Sequence, residues 1–427
     1  MKAFQSVLLL VGFVFSACTL LPESRTDDIT IIRDFFSGYT GDEYWYLAYD
    51  SRDQKLLAYG YLGNSGEVTL DIPDNYLRKD VTLLEIYFIG SYEGPRTLYQ
   101  ATVREFRGVP RGVFDIEKEP SNAYESRPNR EIGVLGVTEQ EYDERYFYTV
   151  STEYAGRMQL DVHNDWSRND HTDWVSLFVP DRKLSQTLDE WMYIEYRRRS
   201  DNQRFHYWAN FTVTDNNFEF YVQDDDFTPV VFDVEVAYSG YPGAGGLRRK
   251  SPNGVIEVIM ETNDQGFKLP QFPEVFQEYQ LQTGGSLGGQ SHYFRSEFTA
   301  TAPTQVPEPN FVLEANSPDG QMMTAEVTSG EADMLVLYAY ARPESTSLYW
   351  YTYGDAKQPL ETVSYTFPEE LAVDMDPLLV EGLGARSATA IDYTDTEGFE
   401  EVMEWRLVQP WLSKTKPYHS LNQNLRQ

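Results

Sequence analysis

Two short stretches set imidazole, carboxylate and indole side by side: His163-Asn164-Asp165-Trp166 and His171-Thr172-Asp173-Trp174. They hold two of the chain's five histidines, each with an aspartate two positions later. Imidazole with carboxylate suits zinc and other borderline metals, but no cysteine ligand and no HExxH pattern accompanies them. Against a metal site the stretch reads better as a ligand-facing edge, where His163, Asp165, Trp166, His171 and Asp173 offer a stacking ring beside hydroxyl-accepting acids. The plain alternative is a polar loop between strands with both tryptophans buried. Polar turn residues surround Trp166, which predicts an exposed indole. Trp174 opens the apolar run to Val179, which predicts a buried one. Gly284-Gly285-Ser286-Leu287-Gly288 matches the G-x-S-x-G elbow, whose serine works only on a strand-to-helix turn above a parallel sheet. No strand–helix alternation exists in this chain, so the glycines read as a flexible loop and Ser286 as idle. Asp224-Asp225-Asp226 and Asp395-Thr396-Glu397-Gly398 lack the pattern of a calcium site, which gathers roughly six to eight oxygens. Both read as solvated turns. With 67 acids in the chain, some carboxylate pair lies at glycosidase spacing whatever the function, so such a pair has no weight. No residue is assigned to catalysis, a metal or a cofactor.

Cys18, the only cysteine, carries a different chemistry. Lys2 supplies a charged start, Val7 to Phe15 is apolar, and Ser16 and Ala17 are small, the order of a secretory signal. The apolar run is shorter than the about 20 residues a membrane span needs. Phe15-Ser16-Ala17-Cys18 resembles the lipobox of bacterial lipoproteins. The resemblance implies removal of residues 1–17 and a diacylglyceryl thioether on Cys18, usually with a further amide-linked acyl chain of the palmitate kind. Several chains give stable anchoring where one is marginal. It further implies a bacterial outer membrane lipoprotein facing the periplasm or the cell exterior. An ordinary signal peptide cleaved near Ala17, or an uncleaved signal anchor, are the alternatives. A single cysteine excludes a disulfide framework, so the fold relies on its cores.

The net charge is -32, and removal of Lys2 with residues 1–17 makes it -33. Nucleic acid is excluded as a partner, because phosphate contacts need clustered lysine and arginine. The only basic runs, Arg197-Arg198-Arg199 and Arg248-Arg249-Lys250, read as solvated or paired with nearby acids. So acidic a balance resembles that of proteins adapted to saline surroundings, and equally that of any acidic extracytoplasmic protein. Aromatic residues make up 15% of the chain, with tyrosine leading, which favours pleated, half-buried surfaces.

The fold class read from this is all-β, with tandem antiparallel β-sandwich domains after the signal peptide. Residues 18–28 form a polar tether. Residues 29–117 make one sandwich, with strands at Glu43–Tyr49, Lys55–Leu62, Glu67–Ile72, Val81–Ile89 and Leu98–Phe106 separated by turn clusters. Residues 131–302 make a larger sandwich or two small ones. There Asp215-Asn216-Asn217 signals a hairpin, Leu184–Glu190 a helical turn, and Gly240–Gly246 a flexible loop. Residues 302–309 read as a stiff proline linker. Residues 309–411 make a third sandwich, with Thr362–Phe367 and Val402–Val408 among its strands, and 412–427 a flexible tail. Tyr338-Ala339-Tyr340 and Tyr349-Trp350-Tyr351 echo Tyr44-Trp45-Tyr46 and Tyr59-Gly60-Tyr61, which suggests that related modules flank a different one. In strand spacing alone the blocks resemble immunoglobulin-like and fibronectin-type sandwiches, and no functional residue carries over. The functional reading is a non-catalytic, membrane-anchored protein that binds or organises a glycan or protein partner. The alternatives are an extracytoplasmic hydrolase with its site on middle-domain loops, or an assembly subunit of a surface structure.

Overall fold

A computed structural model describes residues 28–33, 43–63, 66–91, 97–117, 130–135, 148–152, 156–160, 163–164, 172–177, 188–213, 219–250, 255–343, 346–379, 382–410, 413 and 415–425. The first block gives β1 (Ile29–Ile32), β2 (Glu43–Tyr49), β3 (Leu56–Tyr61), β4 (Glu67–Leu70), β5 (Asp80–Ser91), β6 (Thr97–Pro110) and β7 (Gly112–Asp115). The middle block opens with β8 (Arg130–Leu135), β9 (Tyr148–Thr152), β10 (Gly156–Leu160), β11 (His163–Asn164) and β12 (Thr172–Leu177). It continues with β13 (Leu188–Arg197), β14 (Arg204–Val213), β15 (Glu219–Gln223) and β16 (Thr228–Pro229). Then come β17 (Phe232–Ala237), β18 (Tyr241–Lys250), β19 (Val255–Ile259), β20 (Glu261–Asn263), β21 (Gly266–Pro270), β22 (Glu278–Leu287) and β23 (Gln290–Arg295). The last block holds β24 (Val312–Asn316), β25 (Thr324–Ser329), β26 (Met334–Ala341), β27 (Ser347–Asp355) and β28 (Leu360–Glu361). Helix α1 (Glu369–Leu379), β29 (Gly384–Tyr393), helix α2 (Phe399–Val408) and β30 (Tyr418–Asn424) complete it. The all-β class therefore holds.

One sheet of twelve strands runs through all three blocks, in the order β19-β18-β22-β23-β30-β29-β26-β27-β6-β5-β2-β3. Its central strands are apolar on both faces; β26 reads Met-Leu-Val-Leu-Tyr-Ala-Tyr-Ala because both sides are covered. The sequence blocks are thus joined edge to edge: β6 of the first pairs in parallel with β27 of the last, and β30 pairs with β23 of the middle.

The tyrosine echo has a structural counterpart. The order β3-β2-β5-β6 repeats as β27-β26-β29-β30, and β4 pairs with β1 as β28 pairs with β25. Because β6 and β27 run parallel while each set is antiparallel within itself, the second set runs opposite to the first. The two sets are related by a half-turn about an axis across the strands, which also exchanges their faces. Accordingly, the small sheet β4-β1-β7 packs with α2 on one face, and β24-β25-β28 with α1 on the other.

Several expectations are corrected. Residues 418–424 are no flexible tail but β30, paired on both sides, with His419, Ser420 and Leu421 buried. Gly240–Gly246 and Gly284–Gly289 are not flexible loops: β18 and β22 pair there, and glycine is required because a Cβ at Gly240 would lie 2.1 Å from the Ser286 carbonyl oxygen. Gly288 and Gly289, at φ 59° and 86°, make the two-residue turn into β23, a conformation that favours glycine. Asp215-Asn216-Asn217 joins no hairpin, since β14 and β15 belong to different sheets and β15 runs parallel to β8. Leu188 to Glu190, expected in a helical turn, open β13. The proline segment is docked rather than free: Val306 is buried and its N–H donates to the Ala237 carbonyl at 2.8 Å.

Val402–Val408 is helical. Glu400 and Glu401 favour its N-terminal turn, and Val402, Met403, Trp405 and Leu407 face the core. Thr362–Phe367 belongs to no strand and leads into α1, unforeseen in the sequence. Leu371, Met375 and Leu378 give α1 one buried stripe at helical spacing. No described helix is long and apolar enough to cross a membrane.

Candidate functional site

Of the residues singled out by sequence, His163 and Asp173 lie on neighbouring strands, where His163 faces Trp174 and Asn164 faces Asp173. Asp165, Trp166 and His171 lie outside the described residues, as do Cys18 and the signal segment. Ser286 sits within β22, opposite Ser291 of β23, with no helix following. Asp224–Asp226 form one 3-10 turn, and Asp395 pairs with Lys416 at 2.9 Å. Among the described residues no three metal-ligating side chains converge. The basic runs meet their expectation in part: Arg198 pairs with Asp201, Arg248 with Glu257 and Lys250 with Glu278, but Arg249 is buried, lies over the Tyr279 ring and donates to the Phe276 carbonyl.

The charged site that the structure does assemble was missed. Register places Tyr46 of β2, Glu85 of β5 and Arg104 of β6 in one row across the sheet. All three point to the face covered by β4-β1-β7, where Arg33 follows β1. Tyr46 Oη donates to Glu85 Oε2 at 2.9 Å, and Arg104 Nη1 to Glu85 Oε1 at 2.6 Å. Arg33 Nη1 reaches the Tyr46 oxygen at 3.4 Å and Glu85 Oε2 at 3.6 Å, and its guanidinium lies 4.2 Å over the Tyr44 ring. Burial alone would push the Glu85 carboxyl up, but Arg33 and Arg104 outweigh it and hold it below the ordinary glutamate range. Glu85 in turn raises the pKa of Arg104 and, against the effect of burial, that of Arg33.

These groups floor a cavity of about 180 Å³. Leu83, Phe106 and Tyr353 extend the floor, Ile31, Phe114 and Ile116 form one wall, and α2 forms the other with Arg406 and Leu407. Pro410 and Ser413 close the end. The walls meet where Glu117 N–H donates to the Val408 carbonyl at 2.7 Å, so the first and last blocks build the cavity jointly. Arg406 donates to Tyr393 Oη at 2.8 Å and lies over the Tyr353 ring. The only sequence signal was a charge inside an apolar strand, as Glu85 is within Leu83-Leu84-Glu85-Ile86.

The next residue on β6 does the opposite. Glu105 points to the other face, fully buried, and accepts from Trp350 Nε1 (3.0 Å), Thr352 Oγ1 (2.9 Å), Tyr365 Oη (2.7 Å) and Arg107 Nε (2.8 Å). It ties β6, β27 and the segment before α1 together. Burial, then the adjacent carboxylate, raises the Tyr365 phenol far above its usual value.

No family model matches the chain, and no curated protein matches it. Among solved structures, it is similar to a calcium-stabilised adhesin with which an Antarctic bacterium binds ice (10% identity, 84% of this chain and 88% of that one, TM-score 0.13). It is also similar to a tetra-tandem repeat from the extending region of a large adhesion protein (8% identity, 93% and 99%, TM-score 0.13). Likenesses at these scores carry no argument about this chain.

Proposed function

We propose that this chain is a membrane-anchored extracytoplasmic lipoprotein that binds or organises a glycan or protein partner without transforming it. One observation carries the binding role: among the described residues, the only carboxylate lining the cavity is clamped between two guanidinium groups. Held ionised and already accepting from Tyr46 and Arg104, Glu85 is a poor general acid or base near neutral pH. A concave apolar pocket with a few fixed polar groups is then suited to recognition. The anchor rests on the resemblance of Phe15-Ser16-Ala17-Cys18 to a lipobox, and the location proposed with it is the bacterial outer membrane, on its periplasmic or outer side.

Cell fractionation of wild type and Cys18→Ser, with crosslinking to capture what co-purifies, tests both halves. Wild type should sediment with membranes and carry an acylated mass, while the variant is released with its signal intact. Equal retention and mass would overturn the anchor. Turnover of a glycan or ester that disappears in Glu85→Gln would overturn the non-catalytic reading in favour of a hydrolase.

A further inference from the structure

We infer that the cavity between β4-β1-β7 and α2 is an oxyanion site, taking a carboxylate or sulfate group either free or as the acid group of a sugar. The inference rests on the binding role proposed above and names the chemistry of what is bound.

The first support is charge. Among the described residues, the cavity is lined by three guanidinium groups, those of Arg33, Arg104 and Arg406, and by one carboxylate, that of Glu85. The chain's net charge of -32 opposes an approaching anion at long range, so an anion held here depends on the guanidinium groups at contact distance. Glu85 is shared by Arg33 and Arg104, and Arg406 forms no ion pair with any described residue.

The second support is an unmet donor. Arg406 Nη2 is used by Tyr393, but its Nε is buried without a hydrogen-bond acceptor. Several buried arginine Nε atoms of this fold share that state, but that of Arg406 belongs to a side chain lining a cavity, where a bound acceptor has room to reach it. An oxyanion supplies one, and the planar fork of arginine matches carboxylate and sulfate oxygens geometrically.

The third support is space. About 180 Å³ holds roughly six waters at about 30 Å³ each, which admits one acid group with some of its hydration but not a chain of sugars. Apolar walls from Ile31, Phe114 and Leu407 lower the local dielectric and so strengthen whatever charge pairing forms.

The test is calorimetric titration of the full chain in detergent, at fixed ionic strength, with sulfate, glucuronate and glucose. Glucose is the neutral arm, sulfate reports a free anion, and glucuronate reports an acid group on a sugar. Sulfate or glucuronate, or both, should bind while glucose does not, and the tighter arm identifies the source. Arg406→Gln should weaken that binding about tenfold or more, the loss of one charged hydrogen-bonding group. Arg406→Lys should retain part of it, and Arg198→Gln, on a distant surface pair, should change nothing. A melting curve accompanies each variant. If Arg406→Gln does not fold, Arg104→Gln at the cavity mouth replaces it with the same expected loss. Anion binding that survives both substitutions, equal binding of glucose, or no binding of either anion would overturn the oxyanion site. A partner still captured by crosslinking in Arg406→Gln would leave the broader binding role intact, which separates the two failures.

Discussion

Glu85 and Glu105 occupy the same sheet, on adjacent strands and opposite faces, and each has an arginine at hydrogen-bonding distance. Yet one lines a cavity and the other is sealed. Glu105 has four donors from β6, β27 and the segment before α1, and those donors leave it no unfilled surroundings. Glu85 has three groups around it, and the Arg104 that pairs with it is 41% exposed at the cavity mouth. The difference follows from what covers each face. On the Glu105 side a tyrosine and a tryptophan close over the carboxylate, whereas on the Glu85 side a small sheet and a helix from different blocks meet without filling the gap. A buried charge whose partners come from one continuous packing layer is scaffold. A buried charge beneath a junction is placed where a ligand can reach it.

The largest test of this contrast is Glu105→Ala. It strands an indole N–H and two hydroxyls inside the fold and unpairs the partly exposed Arg107, and should cost about 3–5 kcal/mol in chemical denaturation. Glu85→Gln should cost less, about 1–3 kcal/mol, because water in the cavity can solvate Arg33 and Arg104. Equal costs for the two would break the contrast and mean that the cavity is as dry as the Glu105 site.

The pH dependence sharpens it. Glu85 has a folded pKa below its unfolded value of about 4.3. Its contribution is therefore fully present above that value and is lost as pH falls through the folded pKa. Glu85→Gln should remove this part of the acid limb only. The loss at higher pH should persist, since it belongs to the histidines. Burial lowers His206 and His292, and burial with His292 lowers His419 to about 4. These groups fold neutral, so their stability is held above about 6.5 and drains as pH falls toward 4. Stability curves of wild type and Glu85→Gln between pH 3 and 8 would separate the two.

The smallest expected effect is that of Arg104→Gln. As a partly exposed pair, it should contribute about 1 kcal/mol or less, and the difference should shrink in molar salt. Denaturation midpoints at low and high salt measure it. A salt-independent loss of several kcal/mol would place Arg104 in a sealed cluster like that of Glu105.

Much of the architecture was legible because alternation and turn residues are local signals. Glu43–Tyr49 coincides with β2, and Met334–Tyr340 differs from β26 by one residue. What was not legible is non-local. Val402–Val408 carries enough valine and tryptophan to read as a strand, and only its packing over Tyr393 and Phe106 makes a helix favourable. The glycines of β18 and β22 read as loops because their value lies in a backbone approach between segments about forty residues apart. The cavity was illegible for the same reason: Arg33, Glu85 and Arg104 become neighbours through β1 packing over the β5–β6 pair, and Arg406 joins them only where the last block is paired to the first through β6 and β27. The repeat, by contrast, was visible as a tyrosine echo, since Tyr44 to Tyr46 and Tyr338 to Tyr340 lie on the matching strands β2 and β26, and Tyr59 to Tyr61 and Tyr349 to Tyr351 on β3 and β27.

That parallel seam also dictates an order of events. Glu105 and Thr352 are 247 positions apart, so the β6 edge stays open until more than half the chain beyond it has been delivered. Closing so long a loop adds little to the equilibrium cost, because the entropy grows only with the logarithm of length. It weighs instead on kinetics, since contacts of such separation form slowly and leave strand edges bare meanwhile. A chain read from its N-terminus cannot mature block by block. Its first sandwich waits for its last, and any holding factor that shields β6 during that interval would set how much protein reaches the finished state.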